Sequence, residues 1–168
     1  MKEKWDLFNK NGKLLKQDCY RGDYLKNNQY HKVVNVWIKD KNNNLIISQR
    51  IKTKPHGLMW EETEGSVLKG ESTYEACLRE AKEELNIDLT NKNYKLIGKQ
   101  NRYYDGGRDI VYVYLFEVDE FKDIKMQEEE VVDYKIATIN DIKKIQAQDK
   151  FLIHPYYEKV IYLVSLMK

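Results

Sequence analysis

The segment from Gly65 to Ile87, GSVLKGESTYEACLREAKEELNI, constrains the fold more than any other part of the chain. Ser72 can cap a helix and Glu75, three positions later, completes a capping box, so a helix is predicted to begin there. Its apolar residues recur at helical spacing and form one face of the helix. These residues are Tyr74, Cys77, Leu78, Ala81 and Leu85. The segment therefore predicts an amphipathic helix that packs on a core.

Three carboxylates lie on the neighbouring face of this helix. Glu80, Glu83 and Glu84 are separated by three and four residues, so their side chains cluster. Like charges at that spacing repel, and a purely structural helix gains nothing from them. A divalent cation held by oxygen ligands would reverse the sign of that energy. An exposed helix whose glutamates pair with nearby cations is the alternative, but the whole constellation favours a metal site.

The segment resembles the Nudix box, G-x5-E-x7-R-E-U-x-E-E-x-G-U, in which U is aliphatic. The fixed positions that match are Gly65, Glu71, Arg79, Glu80, Glu83, Glu84 and Ile87, with Ala81 at the first U. Asn86 replaces the last glycine, and Asn is the non-glycine residue best suited to a left-handed helix end. Glu64 stands where many members carry a second glycine. Its charge could therefore tune metal affinity or block one metal site.

The resemblance implies a hydrolase that cleaves a diphosphate linkage in a nucleotide or another nucleoside-diphosphate-linked small molecule, with Mg²⁺ as cofactor and Mn²⁺ as a substitute. Bound magnesium would screen the charge of the diphosphate and lower the pKa of the attacking water. The residues that the box would give to the metal site are Glu80, Glu84, Glu83, Glu71 and Gly65. Glu83 would join the metal shell or accept a proton. Arg79 would organise the site by pairing its planar guanidinium with Glu71 or a neighbouring glutamate.

Residues outside the box are candidates for the catalytic base and for substrate binding. Many family members place an acidic residue ahead of a late strand as a base or metal contact, and Glu130 or Glu129 stands there in this chain. Arg50 ends a strand at a position where members place a basic residue against phosphate. Further candidates for lining the substrate or stacking on a base surround a predicted hairpin, namely Arg102, Tyr103, Tyr104 and Arg108. Exposed strand ends and hairpin tips are the structural alternative for all of them.

Composition limits the partners of the chain. The 29 basic and 27 acidic residues nearly cancel, so a general nucleic-acid footprint is absent. No segment approaches a membrane span or a signal peptide. Cys77 is predicted to be a core residue, and a reduced, cytoplasmic protein is expected. His31, His56 and His154 lack metal-ligand spacing, and His56 is expected in an exposed loop. The expected partner is a small-molecule diphosphate, with no nucleic acid and no membrane.

The order of predicted elements suits a single domain over 1–168, of either the α+β or the α/β class. Strands are predicted over 5–8, 14–19, 31–39, 45–50, 94–104, 110–118 and 131–137, and further helices over 138–145 and 155–167. The resemblance implies the Nudix α/β/α sandwich with a mixed β-sheet, its shared core spanning 31–145. The hairpin extension at 1–30 and the C-terminal helix at 146–168 lie outside that core. Either could cover the pocket or form a homodimer face.

Two other functions are alternatives to the hydrolase. Isopentenyl diphosphate isomerase shares the fold, and the WDLF…GDYL…HKVVNVWI opening is similar to the N-terminal approach of such enzymes. That isomerase needs a catalytic cysteine just ahead of the box, where this chain reads EETEGSVLK. A catalytically silent Nudix-like binding module usually has a degraded box, whereas this box keeps every acid. The sequence therefore favours the hydrolase and leaves its substrate open.

Overall fold

A mixed seven-stranded sheet forms the centre of the computed structural model, which describes residues 2–104 and 107–167. The strands are β1 (Lys4–Phe8), β2 (Leu14–Tyr20), β3 (His31–Lys39), β4 (Leu45–Arg50), β5 (Trp60–Glu61), β6 (Thr63–Ser66), β7 (Asn93–Tyr104), β8 (Gly107–Glu117) and β9 (Val131–Ala137). The helices are α1 (Thr73–Leu85), α2 (Ile139–Gln146) and α3 (Tyr157–Ser165). None of these helices is long and apolar enough to cross a membrane.

The central strand β3 has one neighbour on one edge and two on the other. On the first edge it pairs with β8 in parallel over its whole length, and the pairings of β3 with β4 and β6 and of β7 with β8 are antiparallel. On its other edge β4 meets it only at Lys39 and Leu45, while β6 pairs with Val33 to Val36. β4 and β6 therefore diverge, and the strand that leads into α1 lies against the middle of the sheet.

Two layers of helix cover the sheet, because alternate residues of β3 face opposite sides. Val34, Val36 and Ile38 pack with the apolar face of α1. Val33 and Trp37 pack on the other side with α2 and α3. The predicted α/β/α sandwich with a mixed sheet is thus confirmed.

The N-terminal hairpin of β1 and β2 has a small core of its own. Trp5, Leu7, Cys19 and Leu25 are buried together in it. The hairpin is tied to the end of the β7–β8 ribbon, where Arg108 donates to the carbonyl oxygens of Leu25 at 3.0 Å and Lys26 at 3.2 Å. The extension therefore lies against the main domain.

Local sequence signals located the ends of α1 correctly. Ser72 is the N-cap within a complete capping box, and Asn86 ends the helix with φ 58°. The predicted start of the last helix at Pro155 is wrong, because Tyr156 has φ 64° and α3 begins only at Tyr157. β5 and β6 were not predicted. The hairpin turn predicted at 105–107 falls largely outside the described residues.

Candidate metal and substrate site

A cavity of about 460 Å³ opens between β6, α1, the end of β7 and the loop that follows β4. This volume lies within the range of small-molecule sites. The predicted residues that line it are Arg50, Gly65, Arg79, Glu80, Glu83, Arg102, Tyr104 and Glu130. The loop residue Lys54 also lines it, as do Trp5 and Arg21 from the N-terminal extension. The structure thus brings most box and non-box candidates to one place, whereas Glu71 and Glu84 do not line the cavity.

Arg79 ties the loop before α1 to the acidic face of the helix. Its Nε and Nη2 donate to the two carboxylate oxygens of Glu71 at 2.8 and 3.0 Å. Nη1 donates to Glu80 at 2.7 Å and to Glu83 at 3.0 Å. Nη2 also donates to the carbonyl oxygen of Ser66 at 2.8 Å. One guanidinium therefore fixes three box glutamates relative to β6.

Glu80 lies directly against the backbone of Gly65. A Cβ placed on Gly65 would lie 1.8 Å from Cδ and 1.9 Å from Oε1 of Glu80, so only glycine leaves room for this carboxylate. Burial raises the pKa of Glu80 to about 7, more than the neighbouring Arg79 lowers it. A carboxylate in this setting favours a cation beside it.

Three buried carboxylates carry an oxygen without a hydrogen-bond partner among the described residues. They are Oε2 of Glu61, Glu62 and Glu84. Burial, together with the charges of Glu61 and Glu80, raises the pKa of Glu84 well above its usual range. Burial also raises the pKa of Glu61 to about 7, although Arg50 opposes the shift. Unpaired buried oxygens are costly unless a proton or a cation satisfies them.

These features fit a hard divalent cation, which prefers carboxylate oxygens. Within residues 2–104 and 107–167, no three Asp, Glu, His or Cys side chains already form a metal cage. Arg79 donates to Glu80 and Glu83 in this arrangement. Glu80 and Glu83 would therefore have to exchange a hydrogen bond with Arg79 for an ion if they held one.

The loop after β4 places cations at the cavity. Arg50 donates from Nη1 to Glu61 at 2.6 Å and from Nε to the carbonyl oxygen of Pro55 at 2.9 Å. Lys54 forms an ion pair with Glu130 from the segment before β9. Glu129 is exposed and does not line the cavity. Of the two predicted acids ahead of β9, only Glu130 reaches the site.

Glu64 is surrounded by partners. Its carboxylate accepts from Asn35 at 2.8 Å and from Arg102 at 3.0 Å, and lies 3.6 Å from Nε2 of His154. Arg102 also binds the buried Asp109 at 2.8 Å. Burial would raise the pKa of Glu64, but His154 and Arg102 outweigh it and hold the pKa at about 2. The charge at this departure from the box is therefore neutralised inside the protein.

Sequence reasoning missed the role of His154. Its Nδ1 lies 3.0 Å from the fully buried Glu62, on the same side of the chain as Glu64. The i, i+2 spacing of Glu62 and Glu64 was the available signal, because alternate residues of an extended segment share a face. No sequence spacing joins them to a histidine so far along the chain.

Tyr103 and Arg108 lie outside the main cavity. The hydroxyl groups of Tyr103 and Tyr30 form a hydrogen bond of 2.8 Å. Arg108 makes the two carbonyl contacts described above. Both residues join the N-terminal extension to the β7–β8 ribbon.

Comparison with known proteins agrees with this geometry. Residues 29–156 match the family model described as the NUDIX domain. An uncharacterised Nudix hydrolase of Listeria innocua is 34% identical over 161 residues, which cover 92% of this chain and 90% of that protein. The crystal structure of a Deinococcus radiodurans protein has a TM-score of 0.71 at 19% identity, covering 98% of this chain and 99% of that one.

A bifunctional NMN adenylyltransferase/ADP ribose pyrophosphatase of Francisella tularensis, complexed with AMP and a manganese ion, has a TM-score of 0.63 at 25% identity. That match covers 83% of this chain and 42% of the other. The domain match spans most of the present chain, and the Listeria relative is similar along nearly its whole length. The chain therefore belongs to the Nudix family and is a Nudix pyrophosphohydrolase.

Proposed function

We propose that the chain hydrolyses a diphosphate linkage in a nucleotide or another nucleoside-diphosphate-linked small molecule, and that it does so with Mg²⁺. The observation that carries this proposal is the buried, unpartnered oxygen of Glu84, whose carboxyl is within the influence of the Glu61 and Glu80 charges, together with the contact between Glu80 and Gly65. Mn²⁺ would substitute, and the Francisella relative binds that ion together with a nucleotide.

The acidic residues of α1 would hold the ion. Glu80 and Glu84 are the principal ligands in this proposal, with Glu83 beside them and Gly65 contributing its backbone carbonyl. Glu71 supports them through Arg79, to which it is bound by two hydrogen bonds. When bound, magnesium would neutralise the phosphate charge and lower the pKa of nearby water.

The remaining cavity residues would bind the substrate and move a proton. Lys54 and Glu130 form an ion pair between two loops of the chain. A substrate phosphate that binds Lys54 would therefore leave the Glu130 carboxylate without its cationic partner. Glu130 then accepts the proton of the water that attacks phosphorus, as the bond from phosphorus to the departing oxygen breaks. Arg50 and Arg102 line the cavity and add positive charge for the diphosphate.

The isomerase alternative lacks its essential group. Both cysteines of the chain, Cys19 and Cys77, are free and buried in hydrophobic clusters. Burial raises the pKa of the Cys77 thiol, so it is a poor proton carrier as well. The cavity walls are largely charged, which disfavours a purely isoprenoid ligand.

The test replaces Glu84 by Gln and Glu129 by Gln in parallel. The products of hydrolysis (phosphate, pyrophosphate or phosphomonoesters) are separated by chromatography after incubation with nucleoside triphosphates, nucleotide sugars, dinucleotides and isoprenyl diphosphates, with and without Mg²⁺. We expect Mg²⁺-dependent turnover that Glu84→Gln reduces by about a thousandfold and the exposed control Glu129→Gln leaves unchanged. Turnover that is independent of metal, or that survives Glu84→Gln, would overturn the proposal.

A further inference from the structure

The N-terminal extension holds the loop that joins β6 to α1, residues 67–72. Lys69 N donates to the carbonyl oxygen of Lys4 at 2.8 Å. Gly70 N donates to Oδ2 of Asp6, also at 2.8 Å. Two consecutive backbone amides of this loop are therefore satisfied by β1, although Asp6 and Gly70 are 64 residues apart in the chain.

Side chains of the loop contact the extension as well. Leu68 is partly buried and packs on the small core of the hairpin. Lys69 forms an ion pair with Asp18, but both side chains are about half exposed, and ion pairs in such positions contribute little. The packing of Leu68 and the two amide hydrogen bonds are therefore the contacts that fix the loop.

The loop is connected to the acidic face of α1 through Glu71, which directly follows Gly70. Oε2 of Glu71 accepts from Leu68 N at 2.9 Å. Both carboxylate oxygens of Glu71 accept from Arg79, which also donates to Glu80. A displacement of the loop at Gly70 would therefore move Glu71 and, through one guanidinium, a proposed ligand of the metal.

Gly70 has a backbone conformation that needs such a restraint. Its φ is 80°, and a Cβ placed on it would meet no atom within 4 Å. Glycine adopts many conformations readily, so a glycine in an open loop keeps one geometry only if its backbone groups are bound. A carboxylate forms a stronger hydrogen bond to an amide than a neutral acceptor does. Asp6 therefore supplies the contact that holds this residue in place.

We propose that Asp6 is a positioning residue for the metal site. By accepting from the Gly70 amide it fixes the place of Glu71, and so sets the affinity of the box glutamates for the cation. Asp6 lies outside the Nudix box and does not line the cavity, so it acts through the loop and not by touching the ion or the substrate. The inference rests on the proposed function, and it gives the N-terminal extension a part in metal binding.

The experiment measures Mg²⁺ affinity by calorimetry in three variants. Asp6→Ala removes the acceptor, whereas Asp6→Asn keeps a carbonyl oxygen in the same position. Asp18→Ala is the matched control, because it removes an acid of the same hairpin that contacts the loop through an exposed ion pair. We expect the affinity to fall about tenfold in Asp6→Ala, to stay within about threefold of the wild type in Asp6→Asn, and to be unchanged in Asp18→Ala. Thermal melting shows whether each protein is folded at the temperature of titration.

Hydrogen exchange of the wild type tests the same coupling without a variant, and decides the question if Asp6→Ala does not fold. Coupling between two sites is reciprocal, so Mg²⁺ should slow exchange of the Gly70 amide by about the same tenfold factor. Gly12, in the turn between β1 and β2, is the matched control amide. It also has a positive φ, and it donates to the carbonyl oxygen of Asn9 at 2.8 Å. Its exchange should not respond to Mg²⁺.

A folded Asp6→Ala protein with wild-type Mg²⁺ affinity, or a Gly70 amide whose exchange does not respond to Mg²⁺, would overturn the positioning role and leave the hydrolase proposal standing. Equal losses of affinity in Asp6→Ala and Asp18→Ala would trace the effect to the charge of the hairpin and overturn it as well. A wild-type protein that binds no Mg²⁺ would remove both proposals.

Discussion

The close contact between Gly65 and Glu80 leaves no room for a side chain at position 65 while Glu80 keeps its conformation. In Gly65→Ala the new methyl group would meet the end of a flexible side chain, so the fold should survive while the Glu80 carboxylate is displaced. We expect Mg²⁺ affinity to fall about ten- to a hundredfold, as when a group that orients a metal ligand is lost. Calorimetric Mg²⁺ titration and thermal melting of the variant measure the two effects.

Ser66→Ala is the matched control for this change. It alters the next residue of β6 and keeps the carbonyl oxygen to which Arg79 donates. An unchanged Mg²⁺ affinity in a folded Gly65→Ala protein would show that the Glu80 carboxylate does not need this position to hold the ion.

At the residue scale, some contacts of the site could be predicted from the sequence and others could not. The resemblance to the box implied that Arg79 would pair with Glu71 or a neighbouring glutamate, and Arg79 does donate to Glu71, from the loop before α1, and to Glu80 on the helix. The environment of Glu64 could not be predicted, since its partners Arg102 and His154 come from a distant strand and from the C-terminal segment. Sequence alone suggested an extra charge beside the metal, whereas the fold pairs that charge with Arg102 and His154 at the wall of the same cavity.

At the scale of elements, the N-terminus of α1 is stabilised by a reciprocal pair of hydrogen bonds. Glu75 N donates to Ser72 Oγ at 3.2 Å, and Ser72 N donates to Glu75 Oε2 at 2.8 Å. Ser72→Ala removes the first of these and should cost about 1 kcal/mol of stability. The melting temperature should fall by roughly 2–4 °C, as expected for a chain of this length.

Ser72→Asp is the control, because Asp caps helices as well as Ser does. Neither variant touches the cavity, so hydrolysis at temperatures well below melting should be unaffected. A melting temperature for Ser72→Ala equal to that of Ser72→Asp and the wild type would contradict the assigned role of the cap.

Elements with strong local signals were predicted, and those that depend on distant pairing were not. The strand at His31–Lys39 has apolar residues at five of the six positions from 33 to 38, on both of its faces, which is typical of a strand buried on both sides. β5 and β6 contain two and four residues, and β6 exists because Val33 to Val36 pair with it. Such short segments have no periodicity of their own.

At the scale of the whole molecule, the site depends on segments from both ends of the chain. The N-terminal extension contributes Trp5 and Arg21 to the cavity wall. The C-terminal segment runs beside β5, where Trp60 N donates to Lys150 O and Leu152 N donates to Trp60 O, each at 2.8 Å. This pairing brings His154 to Glu62 and Glu64 beneath β6. His154, from the C-terminal segment, therefore contacts the two glutamates that stand just ahead of the box.

This arrangement makes stability depend on pH through His154. Burial would lower its pKa, but Glu62, Glu64 and Glu61 outweigh that effect and raise the pKa to about 9 from the usual 6.5. A raised pKa in the folded state means that the contribution to stability is fully present below about pH 6.5 and is lost as pH rises through about 9. The shift corresponds to a contribution on the order of 3 kcal/mol.

His154→Gln should remove the part of this dependence that His154 contributes and also destabilise the protein, because it leaves Glu62 buried without its cationic partner. Urea unfolding between about pH 6.5 and about pH 9.5 should show a wild-type free energy that declines across the window and a variant that is flatter. The difference between the two proteins should therefore be largest at the acidic end. His56→Gln, at an exposed loop position, should follow the wild type. If the difference in unfolding free energy between the wild type and His154→Gln stayed constant across this pH window, His154 would not be held protonated by these glutamates. The C-terminal segment would then be anchored by its backbone pairing with β5 alone.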